Sequence, residues 1–129
     1  MNHKAKGSNA ERELIHLFWQ AGWAAVRVAG SGSSKYPSPD VLASNNLRKI
    51  ALEVKATRDH AKYFTKKEIE ELVLFSNTFG AECFVAIKFP KGNWRFVSVE
   101  DLKITEKSYM ISEEETELKG FLFEEVIEK

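Results

Sequence analysis

Residues 39–55, PDVLASNNLRKIALEVK, decide how the rest of the chain is read. The apolar positions sit in two short runs on either side of Asn45-Asn46, a pair that favours a tight turn. Strand side chains alternate between faces, so Ile50, Leu52 and Val54 share one face while Ala51, Glu53 and Lys55 share the other. If the two runs pair around the turn, Asp40 at the start of the first comes to the same end as Glu53 and Lys55. Two carboxylates and an ammonium then converge on one point. Oxygen ligands of this kind suit Mg²⁺, and a nearby ammonium suits a reaction in which negative charge develops, as in phosphodiester cleavage.

Working outward, the N-terminal side predicts a helix over residues 8–21. Ser8 is a good N-cap, and Glu11 three residues later completes a capping-box pattern. Ala10, Leu14, Leu17, Phe18 and Ala21 form its core stripe, and Gly22 ends it. Glu11 falls at the border of that stripe, about 60° from Leu14 on a helical wheel. It therefore either caps the helix or points inward to a site. Residues 23–29 predict a strand in which Arg27 is either an edge residue or aimed at an anion. Residues 30–39, GSGSSKYPSP, form a loop rich in Gly, Ser and Pro that leads straight into Asp40. Its backbone N–H groups, its hydroxyls and Lys35 make it a candidate for phosphate contact.

On the C-terminal side, residues 58–64 read as a polar connector. Thr65 then caps a second helix over residues 66–79, with Glu68 at its third position as another capping box and Gly80 as its stop. Ile69, Leu72, Val73 and Ser76 make the core stripe. Phe75 and Phe79 widen the apolar arc to about 160°, beyond the usual stripe, and predict a partner subunit on that flank. CFVAIKF (83–89) predicts an interior strand, and residues 94–99 a strand that forms a hairpin with it. A helical turn is expected from Val99, and the acidic run 113–117 reads as a solvated face. Over 120–127 the periodicity is mixed: Phe121 and Phe123 alternate like a strand, while Leu122 and Val126 suit a helix.

Length and composition agree with one domain. The chain has 129 residues, 43% hydrophobic and 29% charged, ordinary values for a globular protein that buries roughly two-thirds of its unfolded surface. No apolar run is long enough to span a membrane, and the N-terminus lacks the apolar core of a secretory signal, so a cytoplasmic location is expected. The single cysteine, Cys83, excludes an intramolecular disulfide and reads as a small core residue. Net charge is zero, but residues 1–67 carry 12 Lys and Arg against 5 Asp and Glu, and residues 68–129 carry 7 against 14. A balance of +7 in the half that holds the candidate site points to a polyanion partner.

The pieces GSNAERELI, VRVAGSG, PDVLA, ALEVKAT, LVLFSNTFGA and VAIKF resemble the archaeal Holliday-junction resolvases (Hjc/Hje-like) of the PD-(D/E)xK nuclease superfamily. The resemblance is strongest over residues 5–99 and fades in 100–129, a C-terminal extension whose structure the pattern leaves open. It implies an α/β fold with a central mixed sheet of about five strands flanked by helices, the restriction-endonuclease-like core. It implies Glu11, Asp40, Glu53 and the Val54 carbonyl as ligands of Mg²⁺, with Mn²⁺ as a substitute, and Lys55 as the motif lysine. Glu11 matches the helix-borne acid that supports the metal or its water. Ser31 matches a loop serine needed for cleavage in some members. Arg12 and Arg27 match basic residues placed against the DNA backbone, and Lys6, Ser31, Ser33, Lys35, Lys62 and Lys66 complete the expected DNA contacts. Family members are homodimers, which assigns Leu72, Phe75 and Phe79 to an interface.

The implied activity is structure-selective, Mg-dependent cleavage of four-way DNA junctions in recombination and repair. A two-fold dimer would place one site on each of two equivalent strands. A sliding clamp or a helicase is expected as an accessory partner. Two alternatives share the same residues: an endonuclease of this superfamily acting on duplex or flap DNA, and a DNA-binding module without turnover.

Overall fold

The computed structural model describes residues 3–30, 35–90 and 92–128. Helix α1 (His3–Gln20) leads into β1 (Ala24–Arg27), β2 (Val41–Ser44) and β3 (Lys49–Ala56). Then come β4 (Ala61–Thr65), α2 (Lys66–Phe79), β5 (Glu82–Lys88) and β6 (Trp94–Ser98). A single 3₁₀ turn (Val99–Asp101) precedes β7 (Lys103–Ile104), β8 (Ser108–Ser112), α3 (Glu113–Lys119) and α4 (Phe123–Glu128).

A five-stranded sheet in the order β1-β2-β3-β5-β6 forms the centre, with β4, β8 and β7 in a separate three-stranded sheet. Within the central sheet only β3 and β5 run parallel, so the sheet is mixed as expected. Strand β3 is buried on both faces because helices cover both sides. Ile50, Leu52 and Val54 pack with Ala10, Leu14 and Phe18 of α1, while Ala51 joins Ile69 and Leu72 of α2 together with Val85 and Ile87. The period-two division of the opening stretch therefore matches two separate cores.

The turn between β2 and β3 follows from its two asparagines. Asn45 Oδ1 accepts from the amides of Leu47 and Arg48, and Asn46 takes a positive φ of 82°, which asparagine tolerates. Register then runs from Ser44↔Lys49 to Val41↔Leu52. Helix α2 starts at a complete capping box between Thr65 and Glu68 and ends at Gly80 in the left-handed region.

Four expectations need correction. Helix α1 begins at His3, so Ser8 lies inside it and is no N-cap; Lys4, Ala5 and Lys6 favour helix and carry it past the point where Ser8 would stop it. The first strand is shorter than residues 23–29: it pairs with β2 from Ala24 opposite Ser44 to Arg27 opposite Val41, with one further bond from the Val28 N–H to the Asp40 carbonyl at 2.9 Å. The connector 58–64 contains β4, whose pairing with β8 no local pattern reveals. Leu72 is 1% exposed within the chain's own core and has no surface to offer a partner.

The C-terminal segment closes one side of the fold. The acidic run is most of α3, and its Thr116 is buried. The mixed periodicity of 120–127 reflects two structures in succession: Phe121 bridges Phe96 at the edge of β6, and α4 then buries Val126 against the α1 side. Among the described residues, no helix is long and apolar enough to cross a membrane.

Candidate active site

At the end of the β2–β3 pair, backbone and side chain cooperate to place Asp40. Its N–H donates to the Leu52 carbonyl at 2.9 Å, continuing the ladder one step beyond Val41. Its Oδ2 then accepts from the Val54 N–H at 2.8 Å. A residue's N–H and C=O lie on the same side of a strand, so the Val54 carbonyl faces the Asp40 side as well. Glu53 lies between these backbone groups in sequence and points to the opposite face of β3. Its side chain is 12% exposed. Burial first, and the charge of Asp40 second, push its carboxyl up to about 9.

Lys55 projects from the same face of β3. Its Nζ donates to Glu68 Oε2 at 2.7 Å and stands 3.6 Å from Glu53 Oε2. Burial works against the ammonium, but Glu68, Glu53 and Asp40 outweigh it and raise Lys55 above its ordinary value. Glu68 is the converse: burial opposes its ionisation, yet Lys55 and the Thr65 amide hold its carboxyl below the ordinary range. Glu68 was legible only as a capping residue. The one sequence signal that could have marked it is its place in the first turn of the helix after the Glu-x-Lys strand.

From the other face, α1 presents Glu11. Arg27 Nε on β1 donates to Glu11 Oε1 at 2.9 Å, so the anion at which Arg27 aims within the chain is this carboxylate. Burial and the charge of Asp40 raise the Glu11 carboxyl in spite of Arg27. Glu11 is thus part of the electrostatic surroundings of Asp40 and is no helix cap.

Two carboxylates and a backbone carbonyl form an all-oxygen donor set. Among the described residues no three Asp, Glu, His or Cys side chains converge closely enough to cage an ion by themselves. That pattern fits Mg²⁺, which keeps several waters and takes one or two carboxylates together with substrate phosphate oxygens. Soft-metal chemistry has no ligands at this point, and Cys83 is half-buried with its thiol pushed up by burial.

The remaining expected contacts are scattered around this centre. Arg12 is exposed on α1, with Nη1 3.4 Å from Asn9 Oδ1. Lys35 is exposed just before Asp40, its ammonium 5.8 Å from the Tyr36 ring. Lys62 and Lys66 are half-buried on β4 and at the start of α2. Ser31 and Ser33 lie outside the described residues, as does the side chain of Lys6. Lys88, which the sequence reading did not single out, pairs in register with Ala56 at the same end of the sheet and donates to Glu13 at 2.6 Å.

On the far end of α2, Phe75 and Phe79 stack at 5.1 Å between centroids, and Phe79 is 48% exposed. Phe79 borders a shallow, almost wholly apolar hollow over β1 and β2, lined by Ala24, Val26, Leu42 and Ala43 among others.

Comparison with known proteins shows the family and the fold. The family described as "Archaeal holliday junction resolvase (hjc)" matches residues 2–129. The crossover junction endodeoxyribonuclease Hjc of Archaeoglobus fulgidus is 46% identical over 110 residues, covering 85% of this chain and 81% of that protein. Its counterpart in Methanocaldococcus jannaschii is 36% identical over 114 residues, covering 88% and 81%. The solved structure of Archaeoglobus fulgidus Hjc, a Holliday junction resolvase, superposes with a TM-score of 0.87 at 43% identity, covering 93% of this chain and 98% of that one. With the Asp40–Glu53–Lys55 cluster seated on the same fold, the chain belongs to the archaeal Holliday junction resolvase family.

Proposed function

We propose that this protein is a structure-selective endodeoxyribonuclease that resolves four-way DNA junctions by divalent-metal-dependent phosphodiester hydrolysis. The observation that carries the reading is the convergence of Asp40, Glu53 and Lys55 at one end of β3, in a member of this family. Asp40, Glu53 and the Val54 carbonyl hold Mg²⁺, and Mn²⁺ substitutes. When bound, the ion supplies Lewis-acid neutralisation of charge on the phosphoryl oxygens and lowers the pKa of water. Lys55 orients the attacking water or meets the developing charge, and Glu11 sets the field around Asp40 from the α1 side. Arg12, Lys35, Lys62 and Lys66 position the DNA backbone, as do Lys6 and the loop serines Ser31 and Ser33. Arg27, paired with Glu11 through Nε and part-exposed, joins them.

Phosphate contacts carry no base information, so selectivity comes from the branched shape, and binding weakens steeply with salt. A junction presents two equivalent strands to two sites. The stacked Phe75 and Phe79, beside the apolar hollow over β1 and β2, support a two-fold dimer through that face. A sliding clamp or helicase as accessory partner belongs to the same reading. A DNA substrate places the enzyme in the cytoplasm.

The deciding experiment offers the protein, with Mg²⁺, a four-way junction and a linear duplex of the same sequences. Faster junction cleavage is expected; equal rates reassign it to duplex or flap cleavage, and binding without cutting makes it a module. Sedimentation tests the dimer separately, since a monomer at micromolar concentration discards the role given to Phe75 and Phe79.

A further inference from the structure

Glu68 serves two structures at once. Its Oε1 accepts from the Thr65 N–H at 2.9 Å and its backbone N–H donates to Thr65 Oγ1 at 3.0 Å, closing the α2 capping box. Its Oε2 accepts from Lys55 Nζ at 2.7 Å. A cap needs only one carboxylate oxygen. The second leaves the helix and reaches the lysine of the nuclease centre.

The distances show what this second bond does. Lys55 has two carboxylates within reach, Glu68 at 2.7 Å and Glu53 at 3.6 Å. Without Glu68, the nearest anion for the ammonium is Glu53, the group that has to remain available to a cation. With Glu68 present, the shorter, charge-assisted bond at 2.7 Å takes up a donor of the ammonium and leaves Glu53 at the longer 3.6 Å, with the ammonium still beside the site. The carboxylate itself is held from behind by the Thr65 amide and the rigid first turn of α2, so it is a fixed anchor.

We propose that Glu68 is a positioning residue of the nuclease site: anchored by the Thr65 backbone N–H, it fixes the Lys55 ammonium in place and at the longer distance from Glu53. This rests on the proposed metal-dependent cleavage and adds to it a residue on a different element from those of the hairpin. It also ties the site to the helix that carries Phe75 and Phe79, since the N-terminus of α2 holds Lys55 and its C-terminal half presents the stacked rings.

Two variants separate this role from a structural one. Glu68→Gln keeps a capping-box residue but has a single acceptor oxygen and no charge, so it cannot both cap α2 and anchor Lys55 as the carboxylate does. Thr65→Ala removes the hydroxyl half of the cap and leaves the Lys55–Glu68 bond. The expected result for Glu68→Gln is single-turnover junction cleavage slowed by about 10- to 100-fold, the usual effect of losing an orienting partner. Its metal-free junction affinity and unfolding midpoint stay near wild type. Thr65→Ala should show the reverse, a lowered unfolding midpoint with cleavage near the wild-type rate. Two outcomes overturn the inference: Glu68→Gln as fast as wild type, or both variants losing rate in proportion to lost stability. A wild-type protein that binds junctions without cutting them overturns the nuclease reading itself. The two failures therefore look different.

Discussion

The two flanks of the site are built from the same kind of contact with the charges exchanged. On the α1 side a carboxylate, Glu11, is held by a cation, Arg27, at 2.9 Å. On the α2 side a cation, Lys55, is held by a carboxylate, Glu68, at 2.7 Å. Each flank neutralises itself. Between the flanks lie Asp40, which accepts from the Val54 N–H, and Glu53, whose carboxylate stands 3.6 Å from Lys55. Counting all six groups as ionised gives two positive against four negative charges, a net of 2 − 4 = −2. The formal excess is negative, and a divalent cation that displaces the Glu53 proton matches it in sign and size.

Changes at the centre should therefore outweigh changes on either flank. Asp40→Asn removes one of the two carboxylates proposed to hold the ion. Ion binding contributes several kcal/mol of transition-state stabilisation, so single-turnover cleavage should fall by about 10³-fold or more while junction binding persists. A loss no larger than that of a flank variant would break the division between centre and flanks. On the α1 flank, Glu11→Gln should cost about 10- to 100-fold in cleavage, comparable with Glu68→Gln across the site. Arg27→Ala sharpens the point, because it strips the counter-charge from Glu11 and keeps the carboxylate. If cleavage by Arg27→Ala equals wild type, that flank does not depend on its pairing.

A smaller effect is legible in stability. Burial and Asp40 push Glu53 up to about 9 from an ordinary value of 4.5. The metal-free native chain therefore keeps a proton that the unfolded chain gives up. Between those two values the native state binds more protons, so stability is greatest at the acid side and falls as pH rises through the window. Unfolding midpoints measured in chelator should decline from about pH 5 to about pH 9. Mg²⁺ should raise the midpoint more at the alkaline end, where it replaces the proton. Glu53→Gln should flatten the slope; an unchanged slope would assign it to other groups.

The smallest effect on cleavage is expected far from both flanks. A Cβ at Gly120 would lie 2.6 Å from the Thr116 carbonyl oxygen, which itself accepts from the Gly120 N–H at 2.8 Å. Gly120→Ala should displace the link from α3 to Phe121 and cost about 1–3 kcal/mol in chemical denaturation. Cleavage well below the unfolding transition should match wild type. A large catalytic loss would mean that the C-terminal segment supports the site as well as the fold.

The parts of this molecule that could be read in advance are those whose cause is local. Helix α2 carries its own cap, stripe and stop between Thr65 and Gly80, and its bounds agree with the sequence. The β2–β3 hairpin carries its turn at Asn45-Asn46 and its period-two faces, so Asp40, Glu53 and Lys55 could be brought to one end on paper. The corrections concern features with a distant cause. Strand β4 looks like a connector until β8 supplies its ladder partner. Leu72 looks like interface until Val85 and Ile87 close over it. Glu11 looks like half of a capping box until Arg27, on the next element, takes its carboxylate.

The sequence by itself determined the hairpin, the second helix, the +7 half that holds the candidate site, and the meeting of Asp40, Glu53 and Lys55 at one end of the hairpin. Periodicity and turn chemistry act over a few residues and leave their mark in the chain. Only the tertiary structure decided which charges meet. Glu68 meets Lys55 because the first turn of α2 comes to rest over the end of β3. Glu11 meets Arg27 because α1 packs across the opposite face. Ion pairs between elements depend on how those elements dock, and docking follows from burying two separate apolar faces of one sheet.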